Sequence, residues 1–257
     1  MSNADQKKPL RRPNVAVPKR AMIMAAGFGT RMRPLTEMLP KPLIEVGGRA
    51  MIDRTIDRLE DDGIEQIVVN LHHLGHLIEQ HLRKRDHPEF LFSHEDEILN
   101  TGGGVANALP LLGDDPFLVV NADIMWLNGP TSTLQDLASV WDDEKMDGLL
   151  LLHPTVEAYG YTGMGDFCID PVGLLSWRPE RELAPYLFAG VQILHPRFFD
   201  DAPDGPFPLT DLYTRAIENE RLHGMVHAGE WFHIGSPDGL AEAEAYMRER
   251  YAGNRRR

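Results

Sequence analysis

The sequence AMIMAAGFGTRMRPLT occupies residues 21–36 and contains the strongest fold signal of the chain. Its first six residues are apolar and end at Gly27, which predicts a short buried strand followed by a turn. Gly27 and Gly29 allow the backbone to turn tightly and to bring N–H groups close to phosphate oxygens. Arg31 and Lys41 then add cationic groups, arginine as a planar fork and lysine as a point charge. The stretch therefore predicts a phosphate-binding loop.

Two common phosphate-binding motifs do not match these residues. A Walker A loop needs a Gly-Lys pair, which the chain lacks, and a dinucleotide fingerprint needs a third glycine where Met32 stands. A plain strand-to-helix turn is the alternative for two glycines alone. The combination of Gly-x-Gly-Thr-Arg with Lys41-Pro42-Leu43 ten residues further on is much more specific.

Helix and strand patterns alternate through the first half of the chain with short connections. Residues 50–62 place Met51, Ile56 and Leu59 on one face of a predicted helix, which ends at Gly63. The other predicted elements are strands at 64–71, 90–92, 116–120, 147–153 and 187–194, helices at 74–82 and 104–112, and a hairpin around 170–177. This order predicts an α/β fold of Rossmann-like type, with a mostly parallel mixed sheet and helices on both faces.

Composition and charge exclude several classes of protein. The chain has 257 residues and a formal net charge of −13, so we expect no nucleic-acid partner, because phosphate neutralisation needs clustered Lys and Arg. The one cysteine, Cys168, permits neither an internal disulfide nor a cysteine-rich zinc site. No apolar run reaches the ~18–20 residues of a membrane helix, and the N-terminus lacks an apolar signal core. We expect a cytoplasmic protein without a membrane partner, either a monomer or a small homo-oligomer.

Several segments together resemble the signature of the sugar-1-phosphate nucleotidyltransferases, over residues 21 to about 250. They are the glycine loop with Lys41-Pro42-Leu43, and the segments 100–104 (NTGGG), 120–123 (VNAD), 165–167 (GDF), 188–190 (FAG) and 231–236 (WFHIGS). The resemblance implies that a nucleoside triphosphate and a sugar 1-phosphate give a nucleotide sugar and pyrophosphate, with Mg²⁺ as cofactor. The nucleophile is a phosphate oxygen that is already ionised, so catalysis needs positioning and charge neutralisation rather than a general base.

The resemblance also implies roles for individual residues. Arg31 would hold the phosphates that leave as pyrophosphate, Lys41 would bridge the α-phosphate and the sugar phosphate, and Asp123 would bind the metal. The nucleotide would lie against a larger set, comprising Ala25, Ala26, Gly27, Gly29, Thr30, Arg31, Lys41, Glu95, Gly102 and Gly103. Asp166 and Gly190 fall in segments that meet the sugar.

Each of these assignments has a plainer alternative. Asp123 follows an apolar strand at the edge where open α/β sheets bind ligands, yet a loop carboxylate or helix cap could stand there too. The glycines of 102–104 could receive the base or form an ordinary turn before a helix. Glu95 could accept from the base or face solvent, and Asp166 could cap a turn.

One position departs from the family pattern. His233 stands in WFHIG where the family usually has a metal-binding aspartate. Three interpretations follow: Asp123 holds the metal with water and phosphates, His233 is a true ligand that favours Mn²⁺, or catalysis is weakened. The histidines His72 and His76 stand four residues apart, but a solvated or substrate-facing cluster is the favoured interpretation.

The domain organisation follows from the same segments. We expect a weakly ordered basic arm at 1–20 and a single domain at 21–254. Within it, a nucleotide-binding half (about 21–146) precedes a sugar-binding half (about 147–235). A C-terminal helix at 236–251 begins with a serine and a proline that suit its N-cap and first turn.

Within the family, the TGGG, GDF and LAEAE segments most resemble the N-acetylmuramate 1-phosphate uridylyltransferases. The mannose-1-phosphate guanylyltransferases share much of the pattern and form the alternative. A non-catalytic protein that binds a sugar nucleotide and regulates a partner is the alternative from another class. His233 favours that alternative, whereas intact Arg31, Lys41 and Asp123 oppose it.

Overall fold

The computed structural model of the protein describes residues 16–252. Residues 1–15, which make up most of the predicted basic arm, lie outside the described residues. Among the residues that are described, no helix has both the length and the apolarity needed to cross a bilayer.

The described chain alternates short strands and helices. The strands are β1 (Arg20–Met24), β2 (Glu45–Val46), β3 (Arg49–Ala50), β4 (Gln66–Leu71), β5 (Glu89–His94), β6 (Phe117–Asn121), β7 (Ile124–Trp126), β8 (Gly148–Pro154), β9 (Phe167–Ile169), β10 (Leu175–Trp177), β11 (Tyr186–Leu194), β12 (Leu222–Val226) and β13 (Trp231–His233). The helices are α1 (Met51–Asp61), α2 (Gly75–Leu82), α3 (Asn100–Leu112), α4 (Thr133–Val140), α5 (Leu209–Glu218) and α6 (Pro237–Ala252).

A mixed sheet forms the centre of the fold. β1 pairs in parallel with β4 and with β6, and β4 pairs in parallel with β5. β11 joins the other side of β6 in antiparallel orientation and also pairs with β8. β9 and β10 form the hairpin predicted around residues 170–177. Because β11 joins β6, one continuous sheet crosses the predicted boundary near residue 147.

Helices cover both faces of the sheet, as predicted. Apolar side chains of α1, α2 and α4 pack on one face, and those of α3 and α5 pack on the other. A third apolar cluster holds α6 against β7 and β13. The α/β prediction is therefore confirmed, and β1 and β6, buried on both faces, place their carboxyl ends in the middle of one sheet edge.

Two predicted helix ends can be compared with the structure in detail. The helix α1 buries Met51, Ile56 and Leu59, and Gly63 follows it with φ +88° while its N–H donates to the Glu60 carbonyl. This glycine supplies the positive φ that usually ends a helix. At the start of α6, the Ser236 hydroxyl accepts from the Gly239 N–H at 3.2 Å, which confirms the predicted N-cap.

The start of α3 corrects the prediction. The helix begins at Asn100, four residues before the predicted start at Gly104. A Cβ atom on Gly102 would overlap the Phe207 ring, and one on Gly103 would overlap the Gly205 carbonyl. The glycines lie in the first turns of the helix because the segment before α5 packs directly on the backbone. Tertiary packing here outweighs the low helix propensity of glycine.

Candidate active site

A cavity of about 370 Å³ lies at the carboxyl ends of β1, β4 and β6. Ligands of open α/β sheets bind at this edge. Most of the residues predicted for nucleotide and metal binding line it, namely Ala25, Ala26, Gly27, Gly29, Thr30, Arg31, Lys41, Glu95 and Asp123. The topology therefore brings together predicted residues from Ala25 to Asp123, which lie about 100 positions apart in the sequence.

The glycine loop after β1 has a shape that leaves one side open. Gly29 adopts φ +62°, and its carbonyl accepts from the Met32 N–H at 2.9 Å and from the Thr36 hydroxyl at 2.8 Å. A Cβ on Gly29 would lie only 2.9 Å from Thr36 Cγ2, so packing requires this glycine. Gly27 differs, since no protein atom lies within 4 Å of the place its Cβ would occupy. That open space suits the close approach of a ligand to the backbone.

Lys41 and Asp123 form an ion pair inside the cavity. Lys41 Nζ donates to Asp123 Oδ2 at 2.9 Å, and the two side chains are 12 % and 28 % exposed. Burial opposes ionisation of the carboxyl, but Lys41, followed by His233 and Arg31, outweighs it and holds the pKa of Asp123 below its usual range. Asp123 is therefore an ionised carboxylate at neutral pH, with Lys41 as its counter-charge.

His233 lies beside the same carboxylate. Its Nε2 atom is 3.9 Å from Asp123 Oδ2, and its ring is stacked against Trp231 with an interplanar angle of 5°. A Cβ on Gly235 would overlap the imidazole, so the glycine makes room for the ring. Burial lowers the pKa of His233, and Asp123 opposes this shift. A neutral imidazole therefore lies against an ionised carboxylate, and both can donate electron pairs.

The side chains of Asp123 and His233 supply only some of the ligands that a metal ion needs. Within residues 16–252, no group of three or more His, Cys, Asp and Glu side chains is arranged to hold an ion. Asp123 supplies one hard oxygen donor and His233 one nitrogen donor. This pair fits a divalent ion whose remaining positions are taken by phosphate oxygens and water, which is the usual arrangement for Mg²⁺ with nucleotides.

Three predicted nucleotide contacts have other partners in the structure. Glu95 is buried, and its two carboxylate oxygens accept from Asn70 Nδ2 at 2.7 Å and from the Leu99 N–H at 2.9 Å. The N–H groups of Gly102 and Gly103 both donate to the Phe207 carbonyl. These two glycines therefore do not offer the free backbone surface that the sequence predicts.

The predicted sugar residues lie beside β11. Asp166 Oδ2 accepts from the Phe188 N–H at 2.9 Å, and burial raises the pKa of this carboxyl. Gly190 adopts φ +74° in a bulge of β11, where its Cβ would lie 3.2 Å from Asn121 Cβ and from Ile124. Their sugar contacts stay predictions, because neither residue lines the cavity described above.

The sequence missed several residues of the cavity wall. Asn70 and Ile98 line it beside the predicted residues. Asn100, Thr101 and Gly235 line it too; they belong to the segments 100–104 and 231–236 that carry the family resemblance, but they were not assigned as site residues. Asn70 is the last residue but one of the strand predicted at 64–71, and a polar residue near that strand end was an available signal. Asn100 adopts φ +61°, which could not be recognised without the backbone, although asparagine tolerates this conformation better than most residues.

The histidine cluster does not form a metal clasp. His72 precedes α2, so it does not share a helical face with His76. Its Nδ1 atom donates to the Glu95 carbonyl at 2.9 Å, and its ring packs edge-on against Phe28 at 5.4 Å. His72 therefore packs against the glycine loop through the Phe28 ring.

Comparisons with known proteins agree with this arrangement. A family profile described as Nucleotidyl transferase matches residues 20–250. An N-acetylmuramate alpha-1-phosphate uridylyltransferase of Caulobacter vibrioides is 41 % identical, over 90 % of this chain and 98 % of that protein. The protein of the same name from Neisseria meningitidis is 37 % identical, over 88 % and 97 %.

More distant proteins share the fold. A mannose-1-phosphate guanylyltransferase catalytic subunit beta of Drosophila melanogaster is 27 % identical, over 88 % of this chain and 62 % of that protein. The crystal structure of UDP-glucose pyrophosphorylase complexed with UDP-glucose superposes with a TM-score of 0.74 at 18 % identity, over 90 % and 99 % of the two chains. On the strength of the family profile and of relatives above one-third identity along nearly the whole sequence, the chain belongs to the nucleotidyl transferase family.

Proposed function

We propose that the protein transfers a uridylyl group from UTP to N-acetylmuramate α-1-phosphate and releases pyrophosphate. The observation that carries this proposal is the pairing of a cationic glycine loop with an ionised Asp123 in one cavity, in a chain 41 % identical to a protein named for that reaction. The position of Asp123 at a strand end beside Lys41 argues for chemistry at phosphate rather than for a solvated loop carboxylate.

The reaction forms one bond and breaks one. An ionised oxygen of the sugar phosphate attacks the α-phosphorus of UTP, and the bond from that phosphorus to the bridging oxygen of the β-phosphate breaks. The electron pair leaves with pyrophosphate, and no proton transfer is needed. The family generally uses a divalent metal, and such an ion held by Asp123 and His233 would neutralise phosphate charge as a Lewis acid.

The chain's own residues account for the positioning. The open backbone at Gly27 lets the nucleotide approach closely, and Arg31 at the mouth of the cavity neutralises the departing pyrophosphate. Lys41 lies deeper, where it can exchange its contact with Asp123 for the α-phosphate and the sugar phosphate. This positive charge is local to the cavity, so it can attract phosphate although the formal net charge of the chain is −13.

The mannose-1-phosphate guanylyltransferases are the second candidate, at 27 % identity over about three-fifths of their length. A panel of four nucleoside triphosphates with several sugar 1-phosphates, assayed for pyrophosphate release, separates the candidates. We expect UTP with N-acetylmuramate α-1-phosphate to give the highest kcat/KM. Preference for GTP with mannose 1-phosphate would support the second candidate. Nucleotide binding without release from any pair would overturn the proposal and favour a regulatory protein.

A further inference from the structure

A chain of buried hydrogen bonds forms part of the wall of the nucleotide cavity. The Ala25 N–H donates to Asn70 Oδ1 at 2.7 Å, Asn70 Nδ2 donates to Glu95 Oε1 at 2.7 Å, and the Leu99 N–H donates to Glu95 Oε2 at 2.9 Å. Asn70 is 2 % exposed and Glu95 is 6 % exposed. The chain of bonds links the glycine loop after β1, the end of β4 and the start of α3.

The direction of each bond is fixed by chemistry. A backbone N–H can only donate, so the oxygen of the Asn70 amide must face Ala25 and its nitrogen must face Glu95. Each carboxylate oxygen of Glu95 accepts from one donor, the Asn70 amide nitrogen on Oε1 and the Leu99 N–H on Oε2. Each side-chain polar atom in the chain thus has a hydrogen-bond partner, and a well-paired buried polar network is rigid.

The third glycine of the TGGG segment belongs to this network. A Cβ on Gly104 would lie 2.9 Å from Glu95 Oε1 and 3.0 Å from Asn70 Nδ2. The Phe207 ring leaves no room for a Cβ on Gly102, and the Gly205 carbonyl leaves none for a Cβ on Gly103. The glycine triplet is therefore explained by protein packing, which brings the first turn of α3 down onto the Asn70–Glu95 pair.

We propose that Asn70 and Glu95 are positioning residues that set the width of the nucleotide cavity. Ala25, Asn100 and Thr101 all line the cavity, and the hydrogen bonds connect Ala25 to Leu99, which directly precedes Asn100. Glu95 acts on the cavity through its hydrogen bonds with Asn70 and with the Leu99 amide. This inference rests on the proposed function only for its kinetic readout.

Two single substitutions, Glu95→Gln and Asn70→Asp, and the double variant that exchanges the amide and the carboxylate test the proposal. In Glu95→Gln, the new NH₂ group must face either Asn70 Nδ2 or the Leu99 N–H, both of which are donors. In Asn70→Asp, two carboxylates meet at the central bond. In the double variant, the new aspartate accepts from Ala25 and from the new glutamine, whose oxygen accepts from Leu99. All three bonds are restored, with the central one reversed, and the net charge is unchanged.

We expect each single variant to raise the Kd and the KM for UTP about tenfold, the effect of one lost buried hydrogen bond. The KM for the sugar phosphate should change much less. The double variant should return both UTP values to within about threefold of the parent. Ser93→Ala is the matched control, since it removes a bond from Asn107 that also joins β5 to α3 but lies away from the cavity. It should leave UTP affinity unchanged.

Two readouts keep the inference separate from the proposed function. UTP affinity by calorimetry and thermal unfolding need no turnover, so recovery of both in the double variant would support the network even if no sugar phosphate were accepted. The proposal would be overturned if the double variant lost as much UTP binding free energy as the two single variants lose together, while its thermal unfolding stayed normal. That result would identify the Glu95 carboxylate as a direct contact of the base.

Discussion

Replacing Lys41 with methionine removes one positive charge from the cavity and keeps an unbranched side chain of similar length. Lys41 Nζ lies 2.9 Å from Asp123 Oδ2. The gross attraction at this distance is about 6 kcal/mol for an effective dielectric constant of ~20, and desolvation of the two groups offsets most of it. Because Asp123 stays 28 % exposed, we expect the free energy of unfolding to fall by about 2 kcal/mol.

The loss of catalysis should be larger than the loss of stability. Lys41 is a largely buried cation of the cavity wall, and in the proposed reaction it would face the charge that develops between the α-phosphate and the incoming phosphate. Removing one such electrostatic contact typically lowers kcat by about 10²–10³-fold, or about 3–4 kcal/mol. Continuous measurement of pyrophosphate release at saturating substrate and metal gives kcat, and thermal unfolding of the same samples reports stability.

Lys19→Met is the matched control for this experiment. Lys19 Nζ lies 2.7 Å from Glu65 Oε1 at the opposite end of β1, and these side chains are 66 % and 70 % exposed. An exposed pair contributes at most about 1 kcal/mol, so this variant should keep its turnover and nearly all its stability. If Lys41→Met retains kcat/KM within threefold of the parent, the assignment of Lys41 to the reacting phosphates is wrong.

The other predictions concern metal, acid stability and packing. His233→Asp should keep or raise turnover with Mg²⁺, since a carboxylate is a harder donor than imidazole; complete loss in a folded variant would exclude a metal-site role that a carboxylate can fill. EDTA should abolish pyrophosphate release, and Mg²⁺ should restore it. Burial lowers the pKa of His227 from its usual 6.5 to about 4. Between these two pH values the histidine is protonated in the unfolded state and neutral in the folded state. Stability should thus fall between pH 6.5 and 4, by about 2 kcal/mol from pH 7 to pH 5, and chemical denaturation of His227→Gln should show a flatter profile. Gly102→Ala should destabilise the fold by about 1–3 kcal/mol because the methyl group meets the Phe207 ring; an unchanged melting temperature would contradict the packing of α3.

The sequence correctly predicted structural features that depend on residues close together in the chain. The end of α1 at Gly63 and the N-cap of α6 at Ser236 depend on neighbouring residues, and both predictions are confirmed. Asp123 lines the cavity because it stands two residues after the end of the apolar strand β6, a pattern that is visible in the sequence.

The errors have a common physical cause in contacts between distant residues. Glycine has a low helix propensity, so the sequence analysis placed Gly102 and Gly103 before α3. The structure places them inside it, because Phe207, about 100 residues away, accepts from the N–H groups of Gly102 and Gly103. Glu95 has the same explanation, since its partner Asn70 comes from a different strand and no local pattern shows that the carboxylate is already paired.

The central claim is that an oxygen of the sugar phosphate attacks the α-phosphorus of UTP. The position of the bond that breaks in UTP tests this claim most directly. N-acetylmuramate α-1-phosphate labelled with ¹⁸O in its phosphate oxygens would be incubated with unlabelled UTP and metal, and the products followed by ³¹P NMR. Attack on the α-phosphorus predicts UDP-sugar with ¹⁸O in the bridge to the uridine phosphorus, together with unlabelled pyrophosphate. Labelled pyrophosphate, or hydrolysis of UTP without UDP-sugar, would contradict the account.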